Sequence, residues 1–130
     1  MKHDVEVCMD DVEDLLTLAE WSESGGLQNR TTASLYIRAM IRGNDALCLN
    51  FLGEKASKHN QAPAFFQRLY EDNHISEDLA KYGNSLSDAL NKKADMEYKT
   101  VKVSDSDLKK LRKKAERFIK NAVKANVEED

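Results

Sequence analysis

One proline and five glycines are all that interrupt a chain of 130 residues. So few chain-breaking residues point to a helical domain. Cysteine is just as scarce. Cys8 and Cys48 each fall on an apolar helical stripe, and a structural zinc needs about four ligands in clusters. Two buried thiols are therefore expected, with no disulfide, metal or cofactor. No apolar run approaches the roughly 20 residues of a membrane span. The opening stretch MKHDVEVCMDDVEDLL is acidic and has no signal-peptide core, so the expected location is cytoplasmic. Also missing are a Ser-His-Asp set, a glycine-rich phosphate loop and a histidine pair with metal-ligand spacing.

What is present is periodic. Apolar residues make up 41% of the chain and charged residues 33%. The stretch Thr32 to Leu52 has the most continuous pattern. Ala33, Tyr36, Ile37, Met40, Ile41, Leu47, Cys48 and Phe51 recur at steps of three and four. Leu35, Ala39, Ala46 and Leu49 add apolar groups on other sides. A helix apolar over so much of its circumference belongs in the centre of a bundle. Its surplus also predicts a homodimer. Gly43 costs about 1 kcal/mol in a helix relative to alanine, which a close approach by another helix would explain. Asn44, on the inner stripe, should be a hydrogen-bonded buried amide.

The remaining elements follow in order. A first helix is predicted from about Asp4 to Glu23, with Val5, Cys8, Val12, Leu15, Leu16 and Ala19 inward. Trp21 is expected to cover the core, and Ser24-Gly25-Gly26 to end the helix. Thr31 or Thr32 should cap the central helix, which stops near Gly53. After the polar connection EKASKHNQ, Pro63 opens a short helix that buries Phe65, Phe66, Leu69 and Tyr70 and breaks at Asn73-His74. A fourth helix, capped by Ser76, carries Ile75, Leu79, Tyr82, Leu86, Ala89 and Leu90 inward. KTVKV is an extended link, and Ser104 with Asp107 starts a fifth helix. The final residues, including Glu128, Glu129 and Asp130, should fray. The expected fold is all-α, an antiparallel up-and-down bundle of four main helices plus a short one. It forms one domain over residues 1–130, with a core at about 4–124.

Charge is unevenly spread although the net is only −3. Residues 1–24 set Lys2 against eight carboxylates, and residues 104–126 set eight Lys or Arg against three. The plainer reading is that the first and last helices lie side by side, or meet across a dimer, and attract one another. The sharper one is that the last helix contacts phosphates. The acidic cluster Asp10, Asp11, Glu13 and Asp14 would need oxygens from another element to hold a metal.

Taken together, ASLYIRAMIRGNDALCLNFLGE, the histidine in KASKH, a Phe-rich short helix, LNKKADMEY and a Ser-started helix with KKAERFI resemble the small prokaryotic HEPN domains. The resemblance covers roughly residues 4–124, and its most specific part is KADMEY, Lys93 to Tyr98. It implies the same up-and-down bundle and a homodimer. It also implies partnership with a minimal nucleotidyltransferase, often as a toxin–antitoxin pair, and a link to nucleotide or RNA. Some members are metal-independent ribonucleases, with an arginine and a histidine near the end of the helix matching residues 75–98. Here that segment, LSDALNKKADMEYKT, has neither, so no catalytic residue is carried over. The expected function is a non-catalytic interaction module.

Two sets of residues remain as candidates. Arg38, Arg42, His59, Lys93 and Tyr98 could form a ligand or partner surface. Arg38 and Arg42, one turn apart, could clamp a phosphate, though ion pairs with Asp45 or the acidic first helix are the plainer reading. Arg68 and His74 have the spacing of a ribonuclease pair, with histidine as acid or base and arginine stabilising phosphate charge. They sit on the wrong helix for the family, and would converge only if the chain turned at Asn73.

Overall fold

A computed structural model describes residues 2–127, and folds them into a bundle of five helices without strands. They are α1 (Lys2–Ser24), α2 (Asn29–Leu52), α3 (Ala62–Glu71), α4 (Tyr82–Tyr98) and α5 (Asp105–Arg117). A π-helical segment, Phe118–Lys124, continues α5. The fraying expected of Glu128, Glu129 and Asp130 lies outside the described residues.

α2 is the centre. α1, α3, α4, α5 and the π segment all touch it, and it buries residues around nearly its whole circumference. Met40 and Leu47 have 0% exposure. The chain covers α2 by itself, so the apolar surplus does not require a second copy. α1 folds back along α2 through Gly25 to Gln28. Ser22 meets Thr32, and Asp11 meets Arg42 further down, the pairing of two antiparallel helices. α2 ends where Gly53 takes a left-handed φ of 75°, as a C-terminal glycine can.

Gly43 meets the close approach its position suggested. A Cβ built there would lie 2.9 Å from Val123 Cγ2, so the π segment can close on α2 only because that atom is missing. The segment buries Phe118, Ile119, Ala122 and Val123. Phe118 stacks obliquely with Phe66 at 5.7 Å and meets Tyr82 edge-on at 6.2 Å. Asn44 donates to the Ala62 carbonyl at 3.2 Å, which satisfies the buried amide and fixes the start of α3. Cys8 and Cys48 are both free and buried. Burial pushes the Cys48 thiol up to about 12 and raises that of Cys8 too.

Four local expectations are corrected. Trp21 does not cover the core; it is 69% exposed. It falls on the side of α1 opposite Val12 and Ala19, a position only its size had made attractive. Neither Thr31 nor Thr32 caps α2. The cap position is Gln28, three residues before Thr31, and buried Thr32 shares a 2.6 Å hydrogen bond with the Ser22 hydroxyl. Ser76 caps no long helix either. It precedes a 3-10 turn, Glu77–Leu79, and α4 starts only at Tyr82. Phe65 and Tyr70 are half-buried, unlike Phe66 and Leu69.

The packing around α2 has a direct consequence. Leu47→Ala should lower stability by about 2–5 kcal/mol, read from the midpoint of urea melts at unchanged slope. A loss below roughly 0.5 kcal/mol would contradict the central placement of α2.

Candidate functional site

The polar connection after α2 and the last turns of α4 face each other. The connection is held by a short 3-10 turn, His59–Gln61. There the Gln61 side-chain oxygen accepts from the Lys58 backbone N–H and the Ser57 hydroxyl, both at 3.3 Å. This fixes Lys58, His59 and Asn60 along one wall of an open groove of about 560 Å³. Lys93, Glu97 and Tyr98 form the opposite wall. Lys93 and Glu97 are one helical turn apart and pair at 2.7 Å. Tyr98, the last residue of α4, is 85% exposed. α4 ends there because Lys99 turns to an extended conformation.

Three of the five surface candidates, His59, Lys93 and Tyr98, therefore line one groove, although His59 lies far from the other two in sequence. Lys58 and Asn60 join them and were not singled out by sequence. The groove offers two ammonium groups, an imidazole, an amide and a phenol ring. Such a set can hold an anion and lay a flat group against the ring. Glu97 pairs with Lys93 and puts a negative charge on the same wall, so an incoming anion competes with it for the ammonium.

Arg38 and Arg42 stand elsewhere. Arg42 holds Asp11 at 2.7 Å and Asp45 at 3.1 Å, so the ion-pair reading is the one the structure shows. Burial raises the Asp45 carboxyl above its ordinary range despite the pull of Arg42. Arg38 is exposed and has no partner among the described residues. The chain does turn at Asn73, with φ of 62°, but Arg68 and His74 are engaged separately. Arg68 pairs with Glu54 at 2.8 Å and lies over the Phe65 ring. His74 stacks on Phe51, with ring centroids 5.1 Å apart.

A second polar cluster went unread in the sequence, where Tyr36 looked like a core residue only. Its ring is buried, and its hydroxyl donates to Glu23 Oε1 at 3.1 Å. The other Glu23 oxygen accepts from Arg112 of α5. Burial, and then the bond to Glu23, hold the phenol well above its ordinary range. The opposite charges of the first and last helices were the available signal. They meet here and again where Lys124 of the π segment pairs with Glu13, so ion pairs join the acidic and the basic ends of the chain. Every polar group in the cluster is already partnered, which suits a fastening better than a ligand site.

Tyr36→Phe should cost about 1–2 kcal/mol, the worth of a hydrogen bond to a charged acceptor in a half-buried place. Glu23→Ala, which removes the acceptor for both Tyr36 and Arg112, should cost more in parallel urea melts. An equal or smaller loss would mean that the two bonds do not share one acceptor in solution.

No protein-family model, curated protein or solved structure matches the chain.

Proposed function

We propose that this chain is a non-catalytic, HEPN-like interaction module. It acts as a homodimer, binds a minimal nucleotidyltransferase in a toxin–antitoxin type of pair, and receives a nucleotide or RNA in the groove between the 57–60 connection and α4. The observation that carries the ligand part is the convergence of His59, Lys93 and Tyr98 on that groove. Lys58 and Lys93 suit a phosphate, and exposed Tyr98 suits a base. The dimer and the partner rest on the resemblance of the sequence, to which the order of two long helices, a short one and two more gives support.

The non-catalytic part rests on chemistry. The end of α4, where ribonucleases of this family keep an arginine and a histidine, holds three lysines with carboxylate partners. Lys92 pairs with Asp107, Lys93 with Glu97 and Lys99 with Asp95. The separate engagements of Arg68 and His74 weigh against the other reading, in which those two cleave RNA.

The chain should form a dimer in light scattering at micromolar concentration, twice the 14.8 kDa chain mass. Affinity purification from the native host should recover a small nucleotidyltransferase. A monomer that brings no such protein down would end this reading.

Purified protein should leave single-stranded and structured RNA intact in EDTA. Cleavage that disappears in His74→Ala would promote the Arg68–His74 pair instead. A fluorescent oligonucleotide should bind about tenfold more weakly to Tyr98→Ala, since stacking on one aromatic ring contributes about 1–3 kcal/mol per base. Lys93→Ala should weaken it as well. Undiminished binding by both variants would remove the groove from the proposal.

A further inference from the structure

α5 turns its apolar side inward and its cations outward. Leu108, Leu111 and Ala115 are buried. At about 100° per residue, Lys109, Lys110, Lys113 and Arg117 fall together on the other side, within about 100° of the circumference. All four are exposed and have no ion-pair partner among the described residues. From Lys109 to Arg117 the row runs about 12 Å at 1.5 Å per residue. Glu116 stands at its edge and pairs with Arg112 at 3.8 Å.

A charged helix face alone is an ordinary solvated surface, but this one runs into a crevice. Between α4 and α5 a cavity of about 130 Å³ is lined by Lys92, Lys110 and Lys114, with Asp88 and Asp107 beside them. Lys92 pairs with Asp107 at 3.6 Å and Lys114 with Asp88 at 3.3 Å. Both pairs are long and partly exposed, a kind that contributes little. Lys110 has no carboxylate of its own and belongs to both the face and the crevice. Each ammonium has three donors, so a phosphate entering there can take hydrogens that the carboxylates leave unused. The volume suits a phosphate group with some of its water.

We propose that the outer face of α5, from Lys109 to Arg117, together with the α4–α5 crevice, binds the phosphodiester backbone of a nucleic-acid duplex irrespective of sequence. The chemistry of the face selects this occupant. None of the large apolar side chains of α5 is exposed, so a peptide or a membrane finds no apolar anchor. No aromatic residue stands between Lys109 and Arg117, so an unpaired base finds no stacking platform. What remains is a row of charge, and a duplex carries one negative charge for about every 1.7 Å of its axis. The net charge of the chain is −3, so the attraction belongs to this face and orients the duplex upon it. The groove proposed above shares no residue with the face or the crevice, and neither reading depends on the other.

The probes are short fluorescent duplexes of DNA and of RNA, in two unrelated sequences each, followed by anisotropy in EDTA. Affinity should not depend on sequence. Its logarithm should fall against the logarithm of salt concentration with a slope of about −3 to −4, as about four neutralised phosphates require. The double variant Lys113→Ala, Arg117→Ala should bind at least tenfold more weakly at low salt, with a slope flatter by about two. Lys110→Ala should flatten it by about one, and Lys113→Arg, which keeps the charge, should bind like wild type. All these variants should keep the wild-type melting midpoint, because the side chains are exposed. Tyr98→Ala should bind the duplexes like wild type. Binding of both duplexes, or of one alone, supports the face and tells which backbone it takes. No binding of either at low salt, undiminished binding by the double variant, or equal binding of polyglutamate or of phosphatidylserine vesicles would overturn the proposal. So would a wild-type dimer that the double variant loses in light scattering, since a second copy would then cover the face.

Discussion

A helix that is apolar on nearly every side can be kept from water only if something lies against each side, and α2 imposes that condition on the rest of the chain. α1, α3, α4, α5 and the π segment each supply part of the cover, and each must arrive at a particular distance and angle. The few buried polar groups serve the same end. Asn44 spends its amide on the Ala62 carbonyl, and the Ser22–Thr32 bond closes the upper part of the α1–α2 pair. Among the described residues, Arg30 Nε is the buried side-chain polar atom left without a partner; the others are paired, as the cost of desolvation requires.

Around that core, charge acts as a fastening between elements distant in sequence. Glu23 joins α1 to α5 through Arg112 and to α2 through Tyr36. Arg42 joins α2 to α1 through Asp11. Asn29, at the start of α2, donates to the Val103 carbonyl and to Asp105, and so holds the 99–104 link against the bundle. Pairs of this kind contribute little one by one at a surface. Here they select which helix sits beside which, a matter the apolar stripes alone leave open.

The helices themselves were legible because their apolar spacing is long and regular, and because Gly43 and Asn44 stand out against it. Boundaries were read less well. Thr32 looked like a cap, yet a threonine inside a helix can satisfy its hydroxyl across to a neighbouring helix, and Ser22 provides that. Ser76 looked like a cap too, but only a 3-10 turn follows it before α4 begins at Tyr82. Trp21 was judged by its hydrophobicity rather than its angular position; counting 100° per residue from Val12 and Ala19 would have placed it outward. As for the groove, Lys93 and Tyr98 could be named from their segment. Their meeting with His59 is a tertiary event, fixed by the Gln61 turn and by how α3 returns the chain toward α4, and no local pattern encodes it.

The contact between Gly43 and Val123 also bears on the order of events in the cell. Chains emerge from the ribosome from the N-terminus onward, and α1 and α2 can pair as soon as residue 52 is free. The side of α2 at Gly43 must then wait for residues 118–124, which are made much later. Throughout that interval a nascent chain exposes an apolar surface that its own sequence has not yet covered. The packing of α2 is therefore completed by the π segment and not by the first hairpin, so the Gly43 side of α2 stays uncovered until residues 118–124 have emerged and closed on it.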